Sequence, residues 1–144
     1  MKYWILLVFR LLPGLDKRIE KCDKIIERIA LSPFGDTSAQ YDEILSQMDK
    51  KSKLINLRVM YERLKDKLDK QVFFILCKYA SGVPIREIAK SFSITPGALY
   101  KRMRKAIDNA VALLENDGYT EERMNKEYLG MPFISVAYAR IKNR

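Results

Sequence analysis

Arg86, Thr95, Gly97, Ala98, Tyr100, Lys101, Arg104 and Lys105 fall within twenty positions and combine long cationic donors, one hydroxyl and two small residues. Those residue types suit contact with a polyanion. Residues 70–107 hold eight basic side chains and a single acid, Glu87, whereas residues 1–69 carry 14 bases against 11 acids and residues 108–144 five against six. A solvated helix face normally mixes signs. A stretch this one-sided points to an anionic partner, and a polyphosphate backbone is the commonest one.

The remaining residues offer little catalytic chemistry. The 144-residue chain has no histidine, which excludes Ser-His-Asp and Cys-His catalysis and every histidine metal site. Cys22 and Cys77 lie 55 positions apart without a CxxC pair, so zinc-ligand spacing is absent. Free thiols fit a reducing cytoplasm, although one long-range disulfide is also compatible with the count. Asp16, Glu20, Asp23 and Glu27 interleave with Lys and Arg at helical spacing, the pattern of surface ion pairs. Six glycines form no phosphate-cradling loop. The expectation is no enzyme, with no catalytic residue, no cofactor and no metal.

The elements that must position the basic cluster are helices. Lys70 to Ala80 is apolar at Val72, Phe73, Ile75, Leu76 and Tyr79 and is stopped by Ser81-Gly82. Pro84 suits the first turn of a short helix from Ile85 to Phe92 that turns Ile88, Ala89 and Phe92 inward. Ser93-Ile94-Thr95 reads as a turn, with Thr95 as N-cap and Pro96 at the first helical position. A long helix then runs to Leu114 with Leu99, Met103, Ala106 or Ile107, Ala110 and Leu114 inward, and Asn116-Asp117-Gly118 ends it. Two helices joined by a three-residue turn, the second strongly basic, make a helix-turn-helix. Ala89 is then the small residue at the crossing and Ile94 the plug between the helices. Gly97, Ala98, Tyr100, Lys101, Arg104 and Lys105 point outward or to the flanks, Arg86 reads as a phosphate contact, and Thr95 offers its hydroxyl to a phosphate. Arg102 reads as a structural partner of Glu87 or Asp108.

The N-terminal half is amphipathic. Leu15, Ile19, Cys22, Ile26 and Ile29 recur at helical spacing up to about Leu31, and Ser32-Pro33-Phe34-Gly35 terminates them. Asp36-Thr37-Ser38 offers N-caps for a second helix that can run uninterrupted from Ala39 to Asp69, about 45 Å. Tyr41, Leu45, Met48 and Ile55 share one face of it, and Leu57, Met60 or Tyr61, Leu64 and Leu68 continue after a phase shift. Lys50-Lys51-Ser52-Lys53 reads as a solvated face. The two helices suggest a hairpin, coiled-coil-like, or one arm of a homodimer.

Before them, Tyr3 to Phe9 is an apolar run that Arg10 interrupts and Pro13-Gly14 closes. It lacks a small-x-small cleavage site and is far short of the roughly 20 residues that span a bilayer, so it reads as core or subunit packing. No membrane association and a cytoplasmic location are expected. The fold class is all-α: residues 1–69 a helical hairpin and oligomerisation segment, 70–116 a helix-turn-helix domain, and 117–144 a tail or packing arm. That tail holds a short helix, Glu121 to Tyr128, broken by Gly130-Met131-Pro132.

The run Ile85-Arg-Glu-Ile-Ala-Lys-Ser-Phe-Ser-Ile-Thr, followed by Leu99-Tyr-Lys-Arg-Met-Arg-Lys-Ala, resembles region four of bacterial sigma factors, with Ser93 where a turn glycine is usual. The match covers roughly Asp69 to Ile107, and no counterpart of the other sigma regions is visible. Asp16-Lys-Arg-Ile-Glu and the long helix extend the likeness to small phage-encoded, sigma-like transcription regulators of the ArpU and RinA kind. The resemblance implies sequence-specific double-stranded DNA binding, with the helix from Pro96 in the major groove. Two rival expectations are a phage terminase small subunit, which forms a ring and marks DNA for packaging, and a module that binds RNA polymerase.

Overall fold

A computed structural model describes residues 1–33, 35 and 37–143. The protein is all-helical, with seven helices and no strand among the described residues: α1 (Lys2–Ala30), α2 (Thr37–Lys67), α3 (Lys70–Ala80), α4 (Ile85–Ser91), α5 (Pro96–Asn116), α6 (Glu121–Tyr128) and α7 (Pro132–Lys142). Of the expected caps for α2, Asp36 lies outside the described residues, as does Phe34 of the expected terminator. No described helix is long and apolar enough to cross a membrane.

The chain divides into two compact units, and both cuts fall inside helices. One unit comprises Met1–Leu11 and the chain from Met60 onward; the other is Leu12–Val59.

In the first unit, residues 4–9 of α1 are buried on every side, so a run with no readable period is a central helix rather than a face. Trp4 is fully buried, its Nε1 donating to Asn125 Oδ1 at 2.9 Å, with the rings of Tyr138 and Tyr128 4.9 and 6.1 Å away between centroids. The expected tail is thus two helices that close over Trp4. Phe9, Tyr61 and Phe73 form an edge-to-face trio at 5.3–5.8 Å. Burial pushes the Tyr61 phenol up to about 12, helped by the neighbouring Cys77 and Glu62. Arg63 and Asp117 make an ion pair that ties α2 to the end of α5.

The second unit buries Leu15, Ile19 and Cys22 of α1 and Leu54 and Leu57 of α2. Arg58 bonds Asp16 at 2.8 Å and Lys51 bonds Asp23 at 2.6 Å. Both cysteines are free thiols.

The apolar run that Pro13-Gly14 was expected to close and the amphipathic stretch from Leu15 form one helix: α1 runs through Pro13, and Pro13-Gly14 sits just past the point where the chain passes from one unit to the other. An interior proline costs about 3 kcal/mol through its missing N–H and its clash with the preceding turn. Burial of Trp4–Phe9 before it and of Leu15, Ile19 and Cys22 after it opposes that cost.

Candidate nucleic-acid interface

α3, α4 and α5 contact one another pairwise around a cluster of Ile75, Ile88, Ala89, Leu99 and Met103, against which Tyr79, Val83, Ile85, Phe92 and Ile94 pack. Ala89 and Ile94 thus stand as expected, the small residue inside the cluster and the turn residue packed on it. Each local join is specified by chemistry. Asp69 caps α3 through its carboxylate, which accepts from Gln71 N at 2.9 Å. At its other end Val83 N–H reaches back to the Lys78 carbonyl and Gly82 N–H to that of Tyr79, with Gly82 at φ +96°, a conformation glycine adopts without steric cost. Pro84 is the N-cap of α4, one position before the first helical turn.

The same C-terminal device links α4 to α5. Ile94 N–H bonds the Ala89 carbonyl at 3.0 Å, Ser93 N–H bonds that of Lys90 at 3.1 Å, and Ser93 sits at φ +55°. A left-handed non-glycine residue costs roughly 1–2 kcal/mol. Ser93→Gly is therefore expected to stabilise the protein by about 0.5–1 kcal/mol, the gain being partly offset by the larger entropy of an unfolded glycine. Chemical denaturation checks it; a lower midpoint would mean that the serine hydroxyl contributes more than the strain.

Thr95 caps α5 as expected, its Oγ1 accepting from Ala98 N at 3.2 Å, and Pro96 opens the helix. The exposed hydroxyl keeps its hydrogen for an acceptor outside the chain. Gly97 is exposed, and a Cβ there would meet nothing within 4 Å, so no packing within the chain requires a glycine. Ala98 is half-buried, which leaves Gly97 as the surface residue of the small pair. Tyr100 is 58% exposed, and Lys101, Arg104 and Lys105 are exposed on the next turns, with Arg86 exposed on α4.

The electrostatics separate this region from the others. Every basic side chain from Lys70 to Lys105 is exposed, and none of the eight takes part in an ion pair among the described residues. The ion pairs among the described residues lie on other segments: Lys24–Glu20, Lys53–Asp49 and Arg123–Glu127 within single helices, the Met1 amino group with Glu121, and the pairs Asp16–Arg58, Asp23–Lys51 and Asp117–Arg63. Arg102 accordingly pairs with neither Glu87 nor Asp108, contrary to expectation. It joins Lys70, Lys78 and Lys90 as cations that the expected set omitted although the one-sided charge of residues 70–107 already contained them. Lys78 lies over the Phe74 ring, 5.2 Å from its centroid.

Three of the four basic residues of α5 divide between two flanks. Tyr100 and Arg104 border a recess of about 540 Å³ shared with Tyr79, Met103 and Lys2. Arg102 and Lys105 border a groove of about 730 Å³ with Lys67, Asp69 and Asn109. Among the described residues no group of His, Cys, Asp or Glu is placed to hold a metal ion. Such a surface can bind phosphates, offer fork-shaped and point-charge donors, and admit a close backbone approach at Gly97. No protein-family model, curated protein or solved structure matches the chain.

Proposed function

We propose that the protein binds double-stranded DNA sequence-specifically and regulates transcription, using α4 and α5 as a helix-turn-helix of the sigma region-four kind. The observation that carries this reading is the set of eight exposed bases on α3–α5 without an acidic partner. Unpaired cations this concentrated repel one another, and a polyanion removes that repulsion while releasing its own counterions. The tight turn at Ser93, the Thr95 cap and the open surface at Gly97 support α5 as the reading helix. Its first two turns would lie in the major groove, with Arg86 and Thr95 on phosphates and Tyr100, Lys101, Arg104 and Lys105 reaching bases or backbone.

The sequence resemblance to phage-encoded sigma-like regulators sets the type of regulator, working in the cytoplasm, with RNA polymerase as a candidate partner. The role is binding rather than catalysis. The pairs Asp16–Arg58 and Asp23–Lys51 run in opposite chain directions, which supports a helical hairpin in residues 12–59. A homodimer joined through the N-terminal helices completes the proposal.

Selection of bound fragments from randomised DNA, repeated over a salt series, tests it. The expected result is one enriched motif whose affinity falls steeply with salt, at a log–log slope of about −0.9 per neutralised phosphate. Uniform weak binding without a motif would reject sequence reading.

A further inference from the structure

We propose that the groove between the end of α2 and one side of α5 seats a phosphate backbone of the DNA duplex, held by Lys67, Arg102 and Lys105, with Asn109 as a neutral donor beside them. This rests on the DNA reading of α5 and extends it to a cation that precedes the helix-turn-helix. All four side chains border the groove, of about 730 Å³ and within the first unit, and all four are exposed. Arg102, Lys105 and Asn109 follow one another at steps of three and four and so share one side of α5. Lys101 instead lies opposite the buried stripe of Leu99, Met103, Ala106 and Ala110. A helix that turns Lys101 toward the floor of a major groove brings its sides against the backbones that wall that groove. Lys67 is the last residue of α2, so this side of α5 gains a third cation from a neighbouring element.

Charge selects this side of α5 over the other. None of the three cations makes an ion pair among the described residues. The acid of the groove, Asp69, is already engaged: its carboxylate caps α3, accepting from Gln71 N at 2.9 Å. Three cations against one capping acid leave the groove positive. In the recess on the other side the exposed Asp108 stands with Lys2 and Arg104, and the Met1 amino group there bonds Glu121 at 3.1 Å. Asp108 sits mid-helix and caps nothing, so its charge opposes a phosphate on that side. A backbone contact at Lys67, Arg102 and Lys105 fixes the duplex without reading its sequence and leaves Lys101 for base edges.

Titration of the full chain with the selected site and with a scrambled duplex, at about 50 and about 200 mM salt, tests the assignment. A phosphate contact adds about 0.9 to the log–log salt slope, so a fourfold rise in salt costs it about 3.5-fold in affinity. Lys67→Ala is expected to bind both duplexes at least about 3.5-fold more weakly at the lower salt, with the enriched motif unchanged, and the deficit to shrink by about that factor at the higher salt. For Lys67→Ala/Arg102→Ala the corresponding factor is about 12-fold. Lys67→Arg keeps the charge and is expected to restore affinity and slope. Lys65→Ala, at an exposed base in the same last turn that does not border the groove, and Lys2→Ala, on the other side of α5, are expected to bind as wild type does. Every substituted side chain is exposed, and alanine favours a helix, so the thermal melts should not move. An unchanged affinity or slope for Lys67→Ala, a loss confined to the selected motif, no rescue by Lys67→Arg, or an equal loss in Lys65→Ala or Lys2→Ala would each overturn the proposal. The DNA reading fails separately: a wild type that binds all duplexes alike rejects sequence reading, while a flatter slope in Lys67→Ala still upholds the groove. A wild type that binds no DNA overturns both.

Discussion

The Lys101→Ala/Arg104→Ala variant is expected to lose at least roughly 30-fold in affinity for the selected DNA site, with its thermal melt unchanged. A contact of this kind is worth about 1–3 kcal/mol, so two lost together amount to about 2–6 kcal/mol. Both side chains are exposed on α5, and neither makes an ion pair among the described residues, so their removal leaves no buried group unsatisfied. Alanine is also the best helix former, which keeps α5 intact. Each lost phosphate contact should flatten the salt slope by about one. Lys126→Ala, an exposed base on α6, is the matched control and should bind as wild type does. Equal affinity of the double variant and wild type in a filter or fluorescence titration would mean that α5 is not the reading helix.

Trp4→Ala is expected to cost about 3–5 kcal/mol, a large part of the 5–15 kcal/mol that holds an ordinary domain folded. The indole is fully buried, its ring lies against Tyr128 and Tyr138, and its N–H is the partner of Asn125 Oδ1. Truncation therefore leaves a cavity and an amide oxygen without its donor. Denaturant titration followed by circular dichroism measures the loss, because the variant has no other tryptophan to report by fluorescence. Leu31→Ala, at a site 73% exposed, should change the midpoint by less than about 0.5 kcal/mol. A midpoint unmoved by Trp4→Ala would show that the start of α1 is not part of the first unit's core.

The helices around the candidate site were legible because their signals are local. Ser81-Gly82, Thr95-Pro96 and Asp117-Gly118 act through hydrogen bonds spanning a few residues, so the end of α3 and both ends of α5 follow from short stretches of chain. Cluster residues Ile88, Ala89, Leu99 and Met103 were legible for the same reason, since helical period assigns their face. Arg102 was misread: Asp108 lies six positions on along the same helix, beyond the three- and four-residue neighbours whose side chains meet, and Glu87 on α4 makes no ion pair with it.

Residues 4–9 show the other limit. An unbroken apolar run has no period, so nothing within it tells a central helix from a membrane-facing or oligomer-facing one. Its neighbours come from α2, α3, α6 and α7, with Asn125 121 positions from Trp4 and Tyr138 farther still, and only the fold brings them together. Burial on both sides of Pro13, of Trp4–Phe9 and of Leu15, Ile19 and Cys22, likewise opposes the stop that the proline favours locally.

Composition and order of residues therefore determined the all-helical class, the caps and the one-sided charge of residues 70–107, because propensity, capping and charge act over a few positions. The tertiary structure decided that Trp4–Phe9 is core, that the tail closes over it, and that Tyr41, Leu45 and Met48 stay uncovered while Leu57 and Leu64 do not. Periodicity marks a face as apolar, but what covers that face depends on residues distant in the chain.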